Sequence, residues 1–228
     1  MHPKQPNNSG GWTVVVPVKE LARAKSRLGL SHDGQRAPLA LAFAKDVLHA
    51  CLTASGVTRV FVVSGDATVL ATARAAGAQA ITDRDDEGAD SARSSLNAAL
   101  GRAEDWIRQL DAGARLAVIA GDLACATPES IDQALASAAS YPRCFVSDHS
   151  GTGTTVLTAN THQLLRPMFG DGSAAEHRRS GARDLTVGTP AQLRLDVDTA
   201  DDLRRAAESG LGPNSRRVLR QQVSLLLD

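Results

Sequence analysis

The chain has 228 residues, 43% of them apolar and only 3% aromatic, with Lys plus Arg equal to Asp plus Glu at 25 each. That length and apolar share suit one packed domain and exclude a disordered chain. Balanced charge and scarce aromatic rings argue against a nucleic-acid or anionic-membrane binder, so any phosphate-binding charge has to be local.

The first eleven residues, MHPKQPNNSGG, are polar and read as a loose leader without the apolar core of a signal peptide. Residues 12–228 are expected to form a single domain. Thr13 to Val18 (TVVVPV) reads as a buried strand, rich in β-branched residues and closed by Pro17. Helical spacing follows from about Arg36 to Ala54, then a second strand at Arg59 to Val63. Ala67 to Ala76 suits a short helix stopped by Gly77, and Gln79 to Thr82 a short strand. Ser94 to Leu110 is again helical, and Arg115 to Ala120 (RLAVIA) is a strong buried strand. Thr127 caps a helix that opens on Pro128 and runs to about Ser140. Cys144 to Ser147, Thr154 to Ala159 and Leu193 to Val197 read as further strands, with a capped helix at Thr199 to Ser209. The tail from Arg216 to Leu227 has helical apolar spacing that suits docking on the body or on a partner subunit, which leaves a homo-oligomer open. Strands and helices alternating in this way predict an α/β domain, its sheet parallel and covered on both faces.

Three cysteines, Cys51, Cys125 and Cys144, form no CxxC pair and suit reduced thiols rather than a disulfide framework or structural zinc site. No stretch approaches the roughly 18 apolar residues that a membrane span needs. A cytoplasmic protein without membrane or nucleic-acid partners is expected.

Ligands of open α/β sheets gather at the carboxyl ends of strands. The first strand is followed by Lys19, Arg23, Lys25 and Arg27, a density of cations suited either to a triphosphate or to a solvated loop. Neither GxxxxGK[ST] nor GxGxxG follows it. The RLAVIA strand is followed by Gly121-Asp122-Leu123, where the aspartate suits either a hard cation in the crevice or a turn. Leu195-Asp196-Val197-Asp198-Thr199 supplies a second acidic pair; two residues apart on a strand, both carboxylates address one side. Asp198 or Thr199 also suits a helix cap, and Asp201 and Asp202 the first turn beyond it. Between these elements lie two glycine-rich loops, Asp148 to Thr155 and Phe169 to Arg178, whose backbone N–H groups and hydroxyls suit anions. Ser173 stands at the expected start of a helix there. The six histidines show no HxH or HExxH spacing and no GxSxG elbow occurs, so histidine or nucleophilic-serine catalysis is not expected.

Six fragments, in order, carry a resemblance: VVPVKELARAKSRL, LNAAL, AGDL, GTGTTVLTA, FGDGSAAEHRRSGA and LRLDVDTADDL. Together they resemble the phosphoenolpyruvate and 2-phospho-L-lactate guanylyltransferases, which make the phosphodiester side chain of the deazaflavin coenzyme F-420. The likeness spans Trp12 to Ala207. It implies a single-domain nucleotide-diphospho-sugar-transferase-like (Rossmann-like) fold, with a mixed, mainly parallel sheet between helices. It also implies transfer of GMP from GTP to a small phosphorylated carboxylic acid, with two Mg²⁺ ions. Phosphoenolpyruvate is the expected acceptor, with 2-phospho-L-lactate and 3-phosphoglycerate as alternatives. By position, Asp122, Asp196 and Asp198 resemble the metal ligands, and Thr155, Gly170 and Ser173 the acceptor contacts. Lys19, Lys25 and Arg27 would hold the GTP phosphates and Asn97 would lie near the base or ribose; Asp122, Lys25 and Lys19 would act in the chemistry. Two positions depart from the family pattern: Ala124 stands for a proline after AGDL, and Ser95 for a glycine before LNAAL. A non-catalytic nucleotide sensor on the same fold is the alternative of another class.

Overall fold

A computed structural model describes residues 10–23, 28, 33–83 and 92–224. The leader up to residue 9 lies outside the described residues, as do Lys25 and Arg27 and the side chain of Ser95. Among the described residues, seven strands form one sheet: β1 (Trp12–Pro17), β2 (Val57–Ser64), β3 (Gln79–Thr82), β4 (Arg115–Ile119), β5 (Arg143–Ser147), β6 (Thr154–Ala159) and β7 (Arg183–Asp184). Their spatial order is β3-β2-β1-β4-β6-β5-β7. The first four are mutually parallel, β6 runs antiparallel to β4 and β5, and β7 pairs parallel with β5. The sheet is thus mixed and mainly parallel. The chain leaves β1 for β2 on one side and later returns to β4 on the other. That reversal opens a crevice at the carboxyl ends of β1 and β4.

Among the described residues, seven helices accompany the sheet: α1 (Asp33–Thr53), α2 (Ala67–Ala75), α3 (Ala92–Leu110), α4 (Pro128–Ala138), α5 (Ser173–Arg179), α6 (Ala200–Ser209) and α7 (Pro213–Ser224). Period-two burial along β1 sends Val14 and Val16 to one face and Val15 to the other. The first face packs on Val47 and Leu48 of α1, Val69 of α2, and Ile131 and Leu135 of α4. The second packs on Leu100, Ala103 and Ile107 of α3 and Ala174 of α5. A third cluster joins Leu39 and Phe43 of α1 to Leu195, Val197, Ala206 and Leu211, with Val218 and Leu219 of α7 against it. The C-terminal helix therefore docks on the body. Buried Asp46 of α1 secures it by accepting the N–H groups of Asn214 and Ser215, each at 2.9 Å. Cys51, Cys125 and Cys144 are buried free thiols, and burial pushes Cys51 up to about 12. Among the described residues no helix is long and apolar enough to cross a membrane.

One expected strand is absent. Leu193 to Val197 makes no ladder: a 3-10 turn at Ala191–Leu193 leads into an extended stretch without strand partners. Leu193, Leu195 and Val197 are buried and Arg194 and Asp196 are half-buried, so the period-two pattern is real but packing alone produces it. Cross-links from neighbours replace the ladder. The Thr155 hydroxyl donates to the Leu193 carbonyl at 2.6 Å, and the Arg194 guanidinium donates to the carbonyls of Ser147 and Asp148. The Val197 N–H donates to the Asp122 carbonyl at 3.3 Å. Two short elements, the 3-10 turn Leu21–Arg23 and the two-residue β7, are too brief to show a period in the sequence.

Candidate active site

The crevice is built from three returns of the chain. The first follows β1. The Val18 N–H donates to the Val63 carbonyl at 2.9 Å, which carries the chain past the sheet edge with Lys19 exposed. Leu21, in the next turn, is tied by its N–H to an Asp66 carboxylate oxygen at 3.0 Å. The second return is Gly121-Asp122 after β4. A Cβ on Gly121 would stand 2.7 Å from the Pro17 carbonyl and 3.0 Å from Val18 Cγ2. Only glycine lets the two strand ends approach this closely, and Asp122 follows at the point of approach.

The third return is the Arg194 to Asp198 stretch. Its bond to the Asp122 carbonyl lays Asp196 and Asp198 alongside Asp122. Asp196 is half-buried, and one of its carboxylate oxygens, Oδ1, is buried without a hydrogen-bond partner among the described residues. Burial pushes the Asp196 carboxyl up to about 7, and the charges of Asp122, Asp198 and Asp148 push the same way. A cluster of mutually repelling carboxylates with an unsatisfied oxygen is stabilised by a cation. Among the described residues no group of three or more His, Cys, Asp or Glu side chains is arranged so that it could hold a metal ion. The donors fit an open site, in which one or two carboxylates bind a hard cation and substrate phosphates complete its shell.

Asp201 and Asp202 open α6 as the sequence suggested. Thr199 and Asp202 form a reciprocal capping box, with Asp202 accepting from the Thr199 N–H at 2.9 Å. His149, which no motif had marked, bridges the cap and the acidic cluster: its Nε2 is 3.4 Å from Asp202 Oδ1 and its Nδ1 is 3.7 Å from Asp196 Oδ1. Its position directly after β5 was the available signal, since carboxyl ends of strands face the crevice.

Beside the acidic cluster lie the two glycine-rich loops. In the first, Asp148 accepts the Thr152 N–H and the Ser150 hydroxyl, each at 2.9 Å, and a Cβ on Gly153 would come within 2.8 Å of its Oδ2. In the second, Gly170 and Gly172 adopt φ of 121° and 73°, a backbone that favours glycine. The loops are joined where the Ala174 N–H donates to the Thr152 carbonyl at 3.1 Å. Ser173 is buried, and its hydroxyl has no hydrogen-bond partner among the described residues. A buried hydroxyl without a partner is costly unless a ligand satisfies it.

Two of the expected contacts also hold the backbone. Thr155 is 1% exposed and its hydroxyl donates to the Leu193 carbonyl, which ties β6 to the stretch carrying Asp196. Asn97 grips the backbone of Phe169 from both sides, donating to its carbonyl at 3.1 Å and accepting its N–H at 2.8 Å. Its amide thus holds the second loop. His177, which no spacing motif marks, is fully buried in α5 and bonded to the first loop through Thr154 and to Met168, the residue leading into the second.

A family model described as guanylyl transferase CofC like matches residues 12–225. A phosphoenolpyruvate guanylyltransferase of Streptomyces scabiei (strain 87.22) is 42% identical over 205 residues, which cover 90% of this chain and 94% of that one. Among solved structures, a protein described as a nucleotide-diphospho-sugar transferase of Desulfovibrio desulfuricans G20 superposes with a TM-score of 0.65 at 18% identity, covering 93% of this chain and 95% of the other. A Mycobacterium tuberculosis H37Rv protein, solved in complex with manganese, shares the fold at a TM-score of 0.50 and 21% identity, over 87% of this chain and all of that one.

Proposed function

The chain belongs to the guanylyl transferase CofC-like family, and we propose that it transfers GMP from GTP to phosphoenolpyruvate, releasing pyrophosphate. The product, an enolpyruvyl-diphospho-guanosine, would serve deazaflavin coenzyme F-420 biosynthesis. The observation that carries the reading is Asp196: a partly buried carboxylate with an oxygen that no hydrogen bond satisfies among the described residues, pressed by Asp122 and Asp198 at the switch point of the sheet.

The attacking group is an acceptor phosphate oxygen. A phosphomonoester is already largely dianionic at neutral pH, so the chain has no need of a general base. That oxygen bonds to the α-phosphorus of GTP as the bond to the β-phosphate breaks, and pyrophosphate leaves with the electron pair. What the chain must supply is charge management and alignment for two polyanions. Asp122, Asp196 and Asp198 would hold Mg²⁺, two ions in this proposal, which neutralises negative charge between the two substrates. Lys19, with Lys25 and Arg27, receives the GTP phosphates and the departing pyrophosphate. Ser173 and Gly170 face the acceptor. Thr155 and Asn97 act indirectly, by fixing the Asp196 stretch and the Phe169 loop.

The test is a matrix of nucleotides and acceptors with Mg²⁺, in which pyrophosphate release and product mass are recorded. GTP with phosphoenolpyruvate is expected to give pyrophosphate and a product of the combined GMP and acceptor mass. Faster turnover with 2-phospho-L-lactate or 3-phosphoglycerate would reassign the acceptor. Nucleotide binding with no pyrophosphate release from any pair would overturn the transferase and leave a sensor.

A further inference from the structure

The two glycine-rich loops meet over one buried imidazole. His177 lies one helical turn beyond Ser173 on α5, and both are buried. Its Nε2 is 3.0 Å from the Met168 backbone nitrogen. A backbone N–H can only donate, so Nε2 accepts and carries no proton. The neutral ring therefore has its proton on Nδ1, which stands 2.9 Å from the Thr154 hydroxyl oxygen. In that pair His177 donates and Thr154 accepts, which leaves the Thr154 O–H to donate elsewhere. Phe169 meets the ring edge-on at 5.4 Å and Phe145 packs on it at 6.1 Å, so the imidazole has little freedom to turn.

We propose that His177 is a positioning residue for the acceptor, and that Thr154 is a further acceptor-binding residue. Resting on the transferase reading above, the assignment gives the acceptor phosphate two hydroxyl donors. One is Thr154, oriented by Nδ1–H of His177. The other is Ser173, whose buried oxygen has no partner among the described residues. Accepting from Met168, the same ring fixes the entry to Phe169 and Gly170, a segment that Asn97 grips one residue further on. Joined at Thr152 and Ala174 as well, the loops present their hydroxyls as one preformed seat.

The test measures KM for phosphoenolpyruvate and for GTP separately, with thermal melts, in Thr154→Val, His177→Phe and His177→Gln. Thr154→Val keeps the side-chain shape and removes the donor; the acceptor KM is expected to rise on the order of tenfold, while the GTP KM stays within about twofold. His177→Phe keeps an aromatic ring and deletes both bonds, and should raise the acceptor KM at least as much. His177→Gln retains an acceptor for the Met168 N–H and should recover part of the loss. A purely structural role would lower the melting temperature and the amount of active enzyme while leaving both KM values in place. An unchanged acceptor KM in Thr154→Val and in the folded His177 variants overturns the proposal; should His177→Phe fail to fold, Thr154→Val decides alone. Absence of turnover by the unsubstituted protein with GTP, phosphoenolpyruvate and Mg²⁺ would instead overturn the transferase reading, and this proposal with it.

Discussion

Two aspartates at the carboxyl end of the sheet show opposite uses of one side chain. Asp66, after β2, accepts N–H groups from Thr68 at 2.8 Å, Val69 at 3.2 Å and Leu21 at 3.0 Å. Burial raises its pKa, but the amides of Leu21, Val69 and Thr68 outweigh burial and hold the carboxyl below its ordinary range. Asp196, across the crevice, has no such donors at Oδ1 among the described residues; burial and three neighbouring carboxylates raise it to about 7. The first carboxylate is completed by its own fold, capping α2 and anchoring the turn after β1. The second is left to be completed by something else. Within one sheet end, the count of N–H donors separates structural from functional aspartates better than the residue type does.

Substitutions sharpen this contrast, because the two sites should respond in opposite directions. The largest effect belongs to Asp196→Asn. The amide keeps the shape but removes a cation ligand, and kcat/KM is expected to fall on the order of 10²–10³-fold. Stability should move the other way. An unfolded Asp ionises near pH 4, whereas the folded Asp196 holds its proton until about 7, so the parent loses stability as pH rises through that window. Thermal melts without divalent cations should coincide for parent and variant below about pH 4 and should favour the variant at pH 8. A variant less stable than the parent at pH 8 would break the contrast.

Asp66→Ala should be milder and of opposite sign. Loss of a helix cap costs about 1 kcal/mol, which lowers the melting temperature by roughly 2–4 °C in a chain of this size. The folded pKa of Asp66 is depressed, so its contribution is present at neutral pH and disappears as pH falls through the folded value. The gap to the parent should therefore close in acid, measured by the same melts. A gap that instead widened in acid would show that Asp66 is not held as its three donors imply.

Much of the fold was legible because it depends on local pattern. TVVVPV, RVFVV and RLAVIA read as buried strands and became β1, β2 and β4; Thr127 and Pro128 marked the start of α4. Leu193 to Val197 misled because a burial period of two reports packing on one side and says nothing about a ladder. Its support comes from Thr155 and from the Ser147 and Asp148 carbonyls that Arg194 reaches, all distant in sequence. Asp122 follows β4 as its strand-end motif suggested, whereas Asp196 and Asp198 stand on a stretch that forms no strand. The backbone contacts of Thr155 and Asn97 were not legible, because whether a polar side chain turns to a ligand or to a backbone depends on neighbours about 40 and 70 residues away. His149 and His177 escaped for a related reason. Spacing motifs detect histidines that act together along one element, and these act alone, each against groups from other elements.

The most direct measurement is a Mn²⁺ titration of the parent and of Asp196→Asn in the presence of GTP, read by the electron paramagnetic resonance signal of free Mn²⁺. The expected result is saturable binding by the parent, weakened at least about tenfold in the variant. Equal binding by both proteins would contradict the convergence of Asp122, Asp196 and Asp198 on a divalent cation.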